Sequence, residues 1–263
     1  MRNIRLLLAY DGTDYVGWQV QPNGSSVQST VERAIRELTG APAKLVAAGR
    51  TDSGVHAFGQ VANFTTECSI SCEKMRPGLQ SFLSPDVVVR NVDEVADDFH
   101  ATYSAMKKRY RYIIYNNRAP NPFVRKYTWY CHAELDAAAM HEAAQVLLGT
   151  HDFRCFESQY PNQATSVRTV MEATVQRHSL WPEWSRSQSP IQPLGPEGPF
   201  LSFDVVADGF LYNMVRAIVG TLVNVGRRKW TANDVRRIIE NQDRSQSGPT
   251  APPHGLYLVH VDY

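Results

Sequence analysis

Short runs of β-branched and aromatic residues, separated by turns or amphipathic helices, recur in a similar order along both halves of this chain. That order favours antiparallel-rich α+β halves over a doubly wound parallel sheet. Residues 4–10 read as a first strand that runs into the turn residues Asp11 and Gly12. Val27, Val31, Ala34, Ile35 and Leu38 then recur at helical spacing before Gly40, and Ser25, three residues ahead of Gln28, suits a capping box. Strands over 43–48 and 60–65, a helix over 72–82 and a strand over 87–92 complete a β-α-β-β-α-β order within residues 1–105.

A similar order begins at Lys107. Strands are expected over 110–116 and 127–131, a helix over 136–148 closed by Gly149, and strands over 168–176 and 200–206. Helices near 211–225 and 232–240 and a strand over 256–262 follow. No sequence repeat accompanies the repeated order, so residues 1–105 and 106–263 read as two halves. Residues 179–199 carry Trp181 and Trp184 among Ser, Gln, Gly and Pro without periodicity, and read as a flexible surface excursion between two strands.

Composition narrows the class without choosing a function. The 263 residues are 43% hydrophobic and 20% charged, ordinary for a soluble chain with a sizeable core. With a net charge of only +1, nucleic-acid binding has to come from local patches. Cys68, Cys72, Cys131 and Cys155 form no Cys-Xaa-Xaa-Cys pair and no histidine cluster accompanies them, which points to a reducing, cytoplasmic setting and to no metal site. The first apolar run is too short to span a membrane and has no cleavage-site pattern.

Gly49-Arg50-Thr51-Asp52-Ser53-Gly54-Val55-His56-Ala57 places one carboxylate between two glycines and beside a guanidinium, on a loop between two strands. Glycines permit positive φ and close approach to a ligand, and Arg50 favours the ionised form of Asp52. Loops held by a sheet are common homes for catalytic groups, although an Asp-Xaa-Gly triplet alone also reads as an Asx-turn.

Lys107, Lys108, Arg109, Arg111, Arg118, Arg125 and Lys126 lie in a stretch without a single acidic residue. Aromatics interleave with them, as on a surface that meets phosphates with cations and stacks on unpaired bases. The same residues also read as a charged strand edge kept soluble. A second cluster, Arg227, Arg228, Lys229, Arg236 and Arg237, contains only Asp234 as an acid, and two such patches suit a clamp on one RNA. Arg216 sits in a helix so apolar that it must be mostly buried, and a buried arginine needs a carboxylate, for which Asp52 is the natural candidate.

The nine-residue Asp52 string resembles the catalytic-aspartate motif of the tRNA pseudouridine synthase A family. Further strings agree: Tyr10-Asp11-Gly12-Thr13, Gly17-Trp18-Gln19, Phe99-His100-Ala101, His151-Asp152-Phe153, the segment from Phe210 to Arg216, and Ala251-Pro252-Pro253-His254-Gly255-Leu256. The resemblance covers nearly the whole chain and departs from it in the long 179–199 excursion. It implies two RRM- or ferredoxin-like halves whose sheets join into one extended sheet, with the active cleft between them. It also implies a homodimer, no cofactor, and conversion of uridine to pseudouridine on the 3′ side of the tRNA anticodon arm. By the same resemblance Asp52 is the catalytic aspartate, Tyr110 the active-site tyrosine, and Arg50 and Arg216 its companions. His56 and His100 fall in matching strings and read as histidines satisfied by hydrogen bonds. Two competing classes are a non-catalytic RNA-binding module or folding chaperone, and a glycosidic hydrolase pairing Asp52 with Asp11 or Asp14.

Overall fold

The computed structural model describes residues 1–158, 165–181 and 198–263, so most of the 179–199 excursion lies outside the described residues. The fold is α+β, in two compact units. One comprises Met1–Lys108 with Tyr257–Tyr263, the other Arg109–Leu256.

In the first unit, β1 (Arg2–Tyr10) lies between β3 (His56–Thr66) and β4 (Val87–Val95), antiparallel to both. The short β2 (Val46–Ala47) pairs antiparallel with β3, and β10 (Leu256–Asp262) runs parallel to it at Tyr257 and Leu258. Ile4, Leu6, Leu8 and Tyr10 share one face of β1 by strand alternation, and all are buried. α1 (Val27–Thr39) and α2 (Cys72–Ser81) pack on each other and bury Val31, Ala34, Ile35, Met75 and Leu79. Each fully buried aliphatic side chain of this kind contributes roughly 1.5–3 kcal/mol.

The start of α1 differs from the expectation by one residue. Ser26, not Ser25, is the cap; its hydroxyl accepts from Ser29 N at 3.1 Å while Ser26 N donates to Ser29 Oγ at 3.3 Å. A serine at the third helical position completes the box in place of Gln28, whose side chain instead reaches Glu32. Gly40 ends the helix at φ 75°, as its position implies.

The second unit orders β5 (Lys107–Asn116), β9 (Phe200–Ala207), β8 (Val167–His178) and β7 (Gly149–Asp152) side by side. β6 (Trp129–Cys131) pairs parallel with β5. α3 (Ala137–Gln145) packs on β8, on α4 (Met214–Gly226) and on α5 (Ala232–Asn241). Asp136 caps α3 by accepting from Ala139 N at 3.0 Å, but the helix stops at Gln145, short of Gly149. Gly149, at φ 98°, opens β7 instead of closing the helix.

Candidate active site

Asp52 sits on a half-buried turn whose supports come from three directions. Ahead of it, Ala48 N donates to Val61 O at 2.8 Å, and the Gln60 amide Nε2 donates to Gly49 O at 2.8 Å. At its centre, the Tyr10 and Thr51 hydroxyls are 2.8 Å apart, and Trp18 N donates to Thr51 O at 3.0 Å. Behind it, Val55 N closes a turn on Asp52 O at 3.1 Å, and Ser53 Oγ donates to Tyr15 O at 3.2 Å.

The glycines are used differently from the reading of the motif. Gly54 takes positive φ (76°), whereas close backbone approaches to the loop are made by Gly12, where a Cβ would stand 2.0 Å from Val55 O, and by Gly17 from the neighbouring segment. Gly17 adopts φ 108°, and a Cβ there would stand 2.7 Å from Thr51 O. Only glycine meets both demands. Arg50 is exposed, two residues before Asp52.

Neighbouring polar groups are structural. Gly12 N donates to His56 Nδ1 at 3.0 Å and the His56 ring stacks on Tyr257, while Thr102 N and Tyr103 N both donate to His100 Nδ1 at 3.2 Å. Asp11 Oδ1 accepts from Thr13 N at 3.0 Å, an Asx-turn, and Asp14 is exposed, so neither is built as the second carboxylate of a hydrolase.

In the second unit, Arg216 emerges from the first turn of α4. Its Nε donates to Ala251 O and its Nη1 to Asn213 Oδ1, each at 2.7 Å. The tail reaches Arg216 because Pro249 crosses the helix at Gly220, where a Cβ would stand only 1.7 Å from Pro249 O. Asn213 holds a left-handed conformation, φ 62°, and donates to Ser158 Oγ at 2.7 Å. Left-handed backbone outside glycine is strained, and asparagine tolerates it best. Tyr110 is buried on β5, edge-on to Phe210 with ring centroids 4.9 Å apart.

The expected RNA-facing cations separate into two sets. Arg109 meets Glu172 at 2.6 Å, and Arg111, buried, forms an ion pair with Asp204 at 2.9 Å, so Arg111 does not face phosphates. Strand alternation explains it: Lys107, Arg109 and Arg111 project to one face of β5, where β8 and β9 supply carboxylates distant in sequence. Lys107 lies 3.9 Å from Asp262, and Lys108 is half-buried. Arg118, Arg125 and Lys126 are exposed, beside Phe123, which is 88% exposed. Arg227 is partly buried near Cys131, whereas Arg228 is exposed and 3.4 Å from Asp136.

Burial pushes the Cys131 thiol up to about 11 and the Cys155 thiol to about 12, so neither is an activated nucleophile. Among the described residues there is no cluster of three or more His, Cys, Asp or Glu suited to a metal ion, and no helix is long and apolar enough to cross a membrane.

Comparison with known proteins supplies the class. Residues 7–104 and 143–263 match the family model described as tRNA pseudouridine synthase. The tRNA pseudouridine synthase A of Acetivibrio thermocellus is 45% identical over 263 residues, covering 100% of both chains. That of Moorella thermoacetica is 45% identical over 262 residues, covering 99% of each. The chain belongs to the tRNA pseudouridine synthase A family, and is an isomerase acting on tRNA.

Proposed function

We propose that Asp52 is the carboxylate on which the isomerisation depends. The observation that carries this is its placement: the one acid of the matching motif lies on a turn in which the Gly49 carbonyl, the Thr51 hydroxyl and carbonyl, and the Asp52 carbonyl are each held by hydrogen bonds. Forming pseudouridine breaks the bond from ribose C1′ to uracil N1, turns the base and joins C5 to C1′. No redox change or added group is involved, so the protein supplies binding, positioning and proton transfer, without a cofactor. A carboxylate serves by attacking covalently, or by removing a ribose proton and stabilising positive charge as the glycosidic bond breaks.

In this reading Arg216 and Arg50 favour the ionised carboxylate, and Tyr110 packs on uracil and assists loss of the C5 proton. The target uridine leaves its stack to be reached, and lies on the 3′ side of the anticodon arm. Lys107, Lys108, Arg118, Arg125, Lys126 and Arg228 meet tRNA phosphates, in a homodimer that works in the cytoplasm. The four free thiols are in keeping with a reducing compartment.

Asp52→Asn tests the central assignment, because it keeps the side-chain shape and removes the charge. Wild-type protein is expected to release tritium from C5 of labelled uridine in tRNA without added cofactor. The variant is expected to bind tRNA within about twofold of wild type and to release no label in a single turnover. Appreciable release would remove Asp52 from the chemistry.

A further inference from the structure

Beneath the Asp52 turn lie three polar side chains that take no part in bond making. Tyr10 ends β1, Gln60 lies in β3 and Thr51 directly precedes Asp52; their exposures are 4%, 0% and 6%. They meet because β1 and β3 pair with Leu8 opposite Gln60, which puts Gln60 on the face that Leu8 shares with Tyr10. Gln60 Nε2 lies 2.8 Å from Gly49 O and 3.4 Å from the Tyr10 hydroxyl, which lies 2.8 Å from Thr51 Oγ1. Burial raises the Tyr10 hydroxyl to about 12, so it remains a neutral hydrogen-bonding group across the working pH range.

Gln60 is a poor choice for packing alone. Its Oε1 is buried and has no hydrogen-bond partner among the described residues, a penalty that an apolar side chain of similar size would avoid. What the amide supplies is a donor to Gly49 O, and that contact also fixes which way the amide points. Through Tyr10, the same cluster holds the Thr51 side chain. The backbone of Gly49 and the side chain of Thr51 are thereby tethered on either side of Arg50, and Trp18 N holds the Thr51 carbonyl from the opposite segment.

We propose that Tyr10, Thr51 and Gln60 are positioning residues that fix the turn leading into Asp52 and so aim its carboxylate. The proposal rests on the reading of Asp52 as the reacting group. Misplacement of a reacting atom by even about an ångström costs on the order of 100-fold in rate, so loosening the tethers lowers turnover while leaving the tRNA-binding surface intact.

Steady-state kinetics on tRNA test this with Tyr10→Phe, Thr51→Val, Thr51→Ser and the double variant Tyr10→Phe/Thr51→Val. Tyr10→Phe and Thr51→Val are each expected to lower kcat by about 10- to 100-fold with KM within about twofold. Thr51→Ser restores the hydroxyl and should stay within about threefold of wild type, and the double variant should be no worse than the poorer single one. Tyr263→Phe removes a different tyrosine hydroxyl of the same unit, one bonded to Ala101 O, and should leave kcat unchanged. Unchanged kcat in both single variants, raised KM with kcat intact, or multiplicative losses in the double variant would overturn the proposal. Asp52→Asn is run in the same series. Full activity there would defeat the reading of Asp52, whereas a dead Asp52→Asn beside fully active Tyr10→Phe and Thr51→Val would defeat the positioning role alone.

Discussion

The Asp52 turn and the segment over residues 117–128 are both loops, but they are held in opposite ways. The turn is tied to β1, to β3 and to the segment around Gly17, with partners far away in sequence. The basic segment carries many bonds to near neighbours in sequence: Asn117 Oδ1 accepts from Arg118 N, Asn121 Oδ1 from Phe123 N, and Val124 O from Tyr127 N and Thr128 Oγ1. If Asp52 reacts as proposed, chemistry at one atom needs its carboxylate fixed in place. Cations that follow a phosphate backbone gain from freedom to adapt, and their attraction survives small displacements.

The largest expected effect is on the rigid side. Gly17→Ala places a methyl group against Thr51 O and forces alanine into positive φ, so the turn must move. Turnover should fall about 100-fold or more while the Kd for tRNA changes less than about threefold. Normal turnover would show that the turn need not be rigid.

Next come the two kinds of arginine in the basic stretch. Arg111→Ala leaves Asp204 as a buried carboxylate without its guanidinium partner, and should cost about 3–5 kcal/mol in chemical denaturation. Arg125→Gln with Lys126→Gln should leave stability within about 0.5 kcal/mol and reduce the slope of log Kd against log salt by about 1–2. A steep salt slope surviving the double change would place the phosphate contacts elsewhere.

The smallest effect concerns His178, whose Nε2 lies 2.8 Å from Ser202 Oγ. Burial, and secondarily the charge of Arg111, lowers its pKa below the ordinary 6.5, while Asp204 opposes the shift. Folding therefore favours the neutral ring. The stability this supplies is complete above about pH 6.5 and is lost as pH falls through the lowered folded-state value. His178→Gln should give a shallower decline of Tm on acidification below pH 6.5, and an unchanged decline would assign it to other groups.

Much of this architecture was legible locally. β10 carries the bounds expected from its alternation, and α1 ends at the glycine that its periodicity indicated. β7 escaped notice because Gly149, Thr150, His151 and Asp152 have no strand pattern of their own and are a strand only through pairing with β8. The Asp52 turn was legible because its residues are contiguous. Its supports were not, since Tyr10 and Gln60 meet only through the β1–β3 register. Arg111 was misplaced for a related reason: a run without acids says nothing about Asp204, which arrives on another strand. Tethering by residues distant in sequence leaves no periodic trace.

The parallel pairing of β10 with β3 sets an order of assembly. β3 begins four residues after Asp52, and its first two residues face Tyr257 and Leu258. During synthesis the entire second unit emerges between those two strands. The strand that leads out of the Asp52 turn therefore lacks one neighbour until β10 is translated, and a nascent chain carrying the complete Asp52 motif remains an unfinished sheet.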